Sequence, residues 1–306
     1  MYFKNANQGT VRSESKLVSE MKLLEKKARA EAKSVANQSK STITITAKNA
    51  DRFALYEKAV QAPKAEIHFI NRIFRKTNAH IPLILREDFC GTALLCSEWV
   101  KSRSDRRAIG RDLDKPTLDY GKRTHLAKLS NDAAARVRLT CCNVLAKAEV
   151  TVDVVAAFNF SYCVFKKRSV MLQYFKQTRL ALKKGGAFVL DIYGGTDSHK
   201  KLIETKRIKG ATYVWDQRVY DAISGEALRY IHFRFKDGSE IKRVFTYDWR
   251  IWSLPELKDL LKEAGFSQID VYWEGSDAKG GGNGIFKKVN KAANEQAWIA
   301  YIVAWW

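Results

Sequence analysis

Cysteine is sparse and unpatterned. The five present (Cys90, Cys96, Cys141, Cys142, Cys163) form an odd set without a C-x-x-C pair. Neither a disulfide framework nor a zinc cage fits, and buried free thiols in a reducing compartment are expected. Histidine is equally thin: His68, His80, His125, His199 and His232 stand apart with no pair at ligand spacing, so no metal site is expected. No apolar run reaches the roughly 18–20 residues that cross a bilayer, and the closing AWIAYIVAWW reads as a buried strand. There is no G-x-S-x-G elbow and no evident Cys–His partnership for a covalent nucleophile. The opening MYFKNANQGTVRSES lacks the apolar core of a secretory signal, and with Glu14 and Glu20 so early the expected compartment is the cytoplasm. No internal repeat is visible.

What is abundant is positive charge. Lys and Arg number 54 against 33 acids, a net +21, while 46% hydrophobic residues suffice for a real core and exclude a wholly disordered chain. Residues 1–50 hold ten bases and four acids and form a basic N-terminal arm, helical over 12–36, with STITITA (41–47) alternating like a short strand. The arm is expected to be an appendage. The charge fits two readings: a nucleic-acid partner, or a merely solvated basic surface.

Residues 51–306 read as one domain. Apolar faces over 51–77 predict helix, split at Pro63. Five apolar runs then alternate with helical stretches: IPLILRED (81–88), RRAIGRDLD (106–114), VRLTCCN (137–143), VDVVAAFNF (152–160) and GGAFVLDIYGG (185–195). This rhythm predicts an α/β, Rossmann-like, doubly wound fold: a mostly parallel seven-stranded sheet with helices on both faces. Three β-rich stretches follow over about 207–250, an antiparallel insertion after strand five. SLPELKDLLKEAGF (253–266) is a helix capped by Ser253 and Glu256 and stopped by Gly265. QIDVYWEG and AWIAYIVAWW supply the last strands around the connection KGGGNG (279–284).

The strongest local signal is Glu87–Asp88–Phe89–Cys90–Gly91–Thr92–Ala93, between a strand and a helix. Small residues there admit a ligand to the backbone, and the helix start offers free N–H groups. Asp112, about 20 residues on at the end of the next strand, stands where dinucleotide folds keep an acid for ribose hydroxyls. Together they predict an adenosine-containing ligand. The acid before a single central glycine disfavours a pyrophosphate and suits a methionine ammonium.

On these residues the chain resembles the class I S-adenosylmethionine-dependent methyltransferases, from about residue 55 onward, whose pattern is like D-x-G-C-G-T-G. Glu87 takes the place of the acid, with Phe89, Gly91 and Ala93 at the three glycine positions. REDFCGTALLCSEWV, TYDWRIWSLPEL, VYWEG and GNGIFKKV are similar to a little-described bacterial branch of that family. The resemblance implies S-adenosyl-L-methionine as cofactor. It places Glu87, Phe89, Cys90, Gly91 and Thr92 around its methionine part, Asp112 on the ribose, Leu113 beside the adenine, and Asn143 with Val144 near the adenine amine. Asn159 is placed against the cofactor as well, and Asn159, Tyr162, Asp191 and Tyr247 become the candidates for acceptor chemistry. Asn159 and Tyr162 stand where amine-methylating members carry an Asn/Asp-Pro-Pro-Tyr/Phe turn, here without prolines; the alternative is a helix cap and a core tyrosine. Asp191 and Tyr193 end strand five, and Tyr247–Asp248–Trp249–Arg250 sets two rings beside a charge pair in the lid.

The expected reaction is methyl transfer to an N or O nucleophile, with a small-molecule acceptor held beneath the lid by Tyr213, Trp215, Tyr247 and Trp249. The rivals are an RNA or ribonucleoprotein methyltransferase, suggested by the charge, and an inactive assembly protein on the same scaffold, suggested by Phe89 and Ala93. No membrane partner is expected.

Overall fold

Val152–Ala157 (β4) is buried along its whole length and apolar but for Asp153, and the domain is layered around it. In this computed structural model the described residues are 44–278 and 281–306. Residues 1–43 of the basic arm, with the expected 12–36 helix, lie outside them. From Thr44 onward the expected strand is absent: residues 47–49 turn, because the Asn49 side chain accepts the Thr46 N–H at 2.8 Å and bends the backbone back. Ile45–Trp306 forms one compact unit.

Two helices come first, α1 (Arg52–Val60) and α2 (Pro63–Thr77). Asp51 caps the former and Pro63 opens the latter, where its missing N–H costs nothing. Then β1 (Ile84–Asp88), α3 (Leu94–Lys101), β2 (Arg107–Asp112), α4 (Lys115–Thr124), α5 (Asn131–Ala135), β3 (Val137–Cys141), β4, α6 (Arg168–Leu180) and β5 (Leu182–Gly194) alternate. The chain leaves for a second sheet, β6 (Leu202–Ile208), β7 (Ala211–Tyr220), β8 (Glu226–Arg234) and β9 (Glu240–Arg250). It returns through α7 (Leu254–Glu263), β10 (Gln268–Ser276), β11 (Gly282–Val289) and β12 (Trp298–Trp305).

The central sheet has the order β11-β10-β12-β5-β4-β1-β2-β3. Its β1–β5 half is parallel; β12 joins β5 antiparallel, opposing Tyr301 to Asp191. The sheet therefore has eight strands rather than seven. The extra one, β11, grows out of the glycine-rich connection, pairs with β10 through a bulge near Glu274 and is largely exposed. The second sheet has four strands rather than three, since β6 adds to the edge of β7.

Helices cover both faces. Ile67, Phe69, Ile70, Ile73 and Phe74 of α2 pack with Leu95 and Trp99 of α3 on one side. Met171, Tyr174 and Phe175 of α6 join Leu257, Leu260 and Leu261 of α7 on the other. Each fully buried leucine there contributes about 1.5–3 kcal/mol. The capping box at Ser253 and Glu256 starts α7 in register with that face. Cys90, Cys96 and Cys163 are buried free thiols, whereas Cys141 is exposed.

Candidate functional site

The turn after β1 is held open by three left-handed residues, Phe89, Gly91 and Ala93, with φ of 57°, 52° and 58°. Ala93 is buried against the core and Phe89 packs its ring on Phe165 and Tyr174, at 5.8 Å each. Their side chains are thereby drawn away from the turn's outer surface. At Gly91 a Cβ would meet only Thr117, at 3.8 Å, so the backbone there stands open.

Asp112 ties into this turn. Its Oδ2 accepts the Gly91 N–H at 2.7 Å and its Oδ1 the Asp114 N–H at 2.9 Å, leaving lone pairs free on a half-exposed carboxylate. Leu113 follows with 68% of its surface exposed, an apolar face with nothing to cover it. On the next strand Cys141 pairs with Asp112, which brings Asn143 and Val144 alongside. Asn143 is exposed and its Oδ1 accepts the Leu145 N–H at 2.9 Å, while Val144 is buried.

Glu87 and Cys90 lie beneath the turn rather than on it. The Glu87 carboxylate accepts from Cys96 N and Sγ at 3.3 and 3.1 Å, inside the first turn of α3, and burial pushes its pKa up to about 8. Cys90 is buried, its thiol raised well above the ordinary range by burial. Thr92 faces α1, donating its hydroxyl to Glu57 Oε1 at 2.6 Å, and His125 Nε2 meets the same oxygen at 2.7 Å. Gly121 of α4 permits this packing, because a Cβ there would sit 2.1 Å from the Thr92 carbonyl oxygen.

A second group gathers at the carboxyl ends of β4 and β5, where open α/β sheets place ligands. Asn159 and Phe160 are consecutive left-handed residues, φ 58° and 57°, an arrangement costing roughly 1–2 kcal/mol per residue. Asp191 holds them: its two oxygens accept Asn159 N at 2.7 Å and Phe160 N at 2.9 Å. Burial raises the Asp191 pKa to about 7 despite those bonds. Tyr162 donates its hydroxyl to the Asp191 carbonyl oxygen at 2.7 Å and is buried.

Between the two sheets lies a cavity of about 530 Å³, lined at one end by Asn159, Phe160 and Tyr193. Tyr213, Trp215, Tyr247 and Trp249 of the second sheet and Tyr56 of α1 add aromatic faces. Tyr247 lies 4.5 Å from Trp249 and 5.8 Å from Trp215 between ring centroids, and shares a hydrogen bond with Tyr56. Among the described residues the lining carries four carboxylates, Asp197, Glu204, Glu274 and Glu295, against one cation, Lys206.

The expected residues are thus partly assembled. Gly91, Thr92, Asp112 and Leu113 meet around one turn; Asn159 and Tyr247 share the cavity. Tyr162 and Asp191 stand behind its wall, engaged in shaping the Asn159–Phe160 turn, and do not line it. Asp248 and Arg250 do not pair with one another: the former binds Lys166 at 2.6 Å and the latter Glu256 at 3.0 Å. Trp252 is core, donating to the Phe165 carbonyl at 3.1 Å. The residues missed are Tyr56, Glu57 and Glu66, on helices that read only as amphipathic. Glu66 is buried near Asp191, its pKa pushed up to about 8 by burial and by the Asp191 charge.

No protein-family model and no curated protein matches the sequence. Among solved structures the chain is similar to an S-adenosylmethionine-dependent methyltransferase from Clostridium acetobutylicum ATCC 824, with TM-score 0.61 and 17% identity over 82% of this chain and 97% of that one. It is similar to the sugar N-methyltransferase KedS8 from Streptoalloteichus sp ATCC 53650 (0.54, 14%, 82% and 92%). It is also similar to CalS10 with S-adenosylmethionine bound, an amino pentose methyltransferase from Micromonospora echinaspora (0.54, 15%, 81% and 95%). The protein thus has the Rossmann-like fold of the S-adenosylmethionine-dependent methyltransferases.

Proposed function

We propose that the chain is an S-adenosylmethionine-dependent methyltransferase acting on an amine of a small molecule. The residues fit the cofactor: an open glycine turn, a carboxylate with free lone pairs at the end of β2, and an uncovered leucine beside it. Asp112 would hold the ribose hydroxyls, Leu113 the adenine face, and the Gly91 turn the methionine part. When bound, S-adenosylmethionine supplies a methyl group made electrophilic by its sulfonium.

The observation that carries the amine is the sign of the cavity. In a chain of net +21, the described residues of its lining are acidic and aromatic. Carboxylates and ring faces favour an ammonium group and disfavour a phosphate backbone, which argues against RNA. The similarity to KedS8, a sugar N-methyltransferase, and to CalS10, an amino pentose methyltransferase, supports the same reading.

The chain's part in the reaction is mainly placement. Glu204 and Glu274 attract the amine, and Trp215, Tyr247 and Trp249 exclude water around it. Asn159 accepts an amine N–H through its side-chain oxygen and so aims the nitrogen lone pair. The proton leaves through a lining carboxylate to water, so no dedicated base is needed. Asp191 acts as a positioning residue through the Asn159–Phe160 turn.

The test is incubation with methyl-labelled S-adenosylmethionine and matched acceptors, an amino sugar and the same sugar with hydroxyl in place of amine. Label is expected in the amine alone. Label in the hydroxyl sugar, or in RNA and neither sugar, overturns the reading.

A further inference from the structure

Strand β7 borders two cavities. Tyr213, Trp215 and Gln217 face the acceptor cavity, while Val214, Asp216 and Arg218, on the opposite side of the pleat, line a second one of about 310 Å³. Asp216 is only 2% exposed. Its Oδ2 accepts from Arg218 Nη2 at 2.7 Å and faces His232 Nε2 at 3.3 Å, but its Oδ1, equally buried, has no partner among the described residues. The Arg243 N–H donates to His232 Nδ1 at 2.9 Å, so Nε2 carries the hydrogen that Asp216 receives. A buried carboxylate oxygen without a donor is a desolvated group with nothing returned for it.

Among the described residues the lining around this acceptor is cationic, with four Lys and Arg side chains against two carboxylates. Arg234 and Lys242 share Glu240 at 3.2 and 3.7 Å. Arg243 pairs with no carboxylate among the described residues; its guanidinium lies over the Tyr230 ring at 4.9 Å. It reaches that place with φ 51° in the irregular β8–β9 register near Ile231 and Phe233, a left-handed conformation unfavourable for a residue with a side chain.

These needs narrow the ligand. A cation is repelled by the net charge, a bare anion leaves Asp216 Oδ1 unmet, and a neutral polyol leaves the guanidinium unmatched. We propose that this outer cavity binds a small hydroxyl-bearing organic phosphate. A ligand hydroxyl donates to Asp216 Oδ1, and the phosphate lies between Arg243 and Lys242. The site is independent of the methyltransferase reading.

The probes are ribose 5-phosphate, ribose and inorganic phosphate, titrated into the full chain by calorimetry while the His232 ring resonances are followed by NMR. Ribose 5-phosphate is expected to shift those resonances and to bind at least tenfold more tightly than inorganic phosphate, with no binding of ribose. Asp216→Ala abolishes that preference. Arg243→Ala, at an exposed position, weakens ribose 5-phosphate at least fivefold and keeps the test decisive whatever the folding of the buried variant. Equal affinity for the two phosphates, unmoved His232 signals, or unchanged binding in R243A overturns the proposal. Capture of single-stranded RNA without ribose 5-phosphate binding assigns the face to nucleic acid and overturns it too.

Discussion

The Asp112 carboxylate and the Gly91 amide are bonded to one another at 2.7 Å. An acid at the end of β2 therefore sets the shape of the turn after β1 and still presents lone pairs outward. On the proposed reading, ribose recognition and backbone shape are one unit, so damage to either reaches both.

Replacing Asp112 with Ala is expected to weaken S-adenosylmethionine binding at least tenfold, from loss of charge-assisted hydrogen bonds worth about 1.5–3 kcal/mol. Calorimetry reads this directly, and a dissociation constant unchanged from wild type would contradict the assignment.

Two glycines should respond in opposite proportion to their exposure. Gly121→Ala places a Cβ 2.1 Å from the Thr92 carbonyl and must displace the turn, with an expected loss of about 3 kcal/mol or more. Gly91→Ala has room and suffers only its φ of 52°, about 1–2 kcal/mol. Thermal unfolding ranks them; the reverse order would show that Thr92 is not held against α4.

Glu57→Ala removes the shared acceptor of Thr92 and His125. The expected result is about 1–3 kcal/mol less stability, with weaker cofactor binding although Asp112 is intact. A variant with wild-type affinity would detach α1 from the cofactor site.

Asp191→Asn leaves one of two backbone amides without its acceptor. Methyl transfer should fall at least tenfold while the cofactor dissociation constant stays within about twofold, as expected of about 1.5–3 kcal/mol lost at the turn alone. Equal losses in both would mean a general structural role.

Stability should fall as pH rises. Glu66 and Glu87, raised to about 8, and Asp191, raised to about 7, all hold protons more tightly folded than unfolded. Their contribution is fully present below about pH 4, the unfolded carboxylate range, and is lost as pH climbs through 7 and 8. Melting temperature should drop between pH 5 and 9 by differential scanning fluorimetry, and Glu66→Gln should flatten the slope. A melting temperature rising over that window would refute the burial of these acids.

The parallel core was legible because buried strands are short, mainly apolar runs: β1 and β2 end in acids, and β4 is apolar from Val154 to Ala157. Pro63 and the Ser253–Glu256 box marked helix ends through backbone chemistry that needs no tertiary context. β6 was hidden because LIETKRI is an edge strand, exposed at five of seven positions, where alternation of burial leaves no trace. β11 was hidden by its glycines. Glu57 and Glu66 escaped because a carboxylate on an amphipathic helix looks solvated until the opposing surface is known. Tyr162 and Asp191 stood close to the expected place, but only side-chain direction shows that they brace the turn from behind.

The second sheet is one uninterrupted stretch, Leu202–Arg250, inserted between strands of the first. Four of the aromatic side chains that line the proposed acceptor cavity, Tyr213, Trp215, Tyr247 and Trp249, are thus carried on a single cassette, whereas the proposed grip on the nucleoside is built from residues 87–144. If the proposed function holds, grafting a different cassette at the same two junctions would change what the cavity accepts without rebuilding the turn that holds the cofactor.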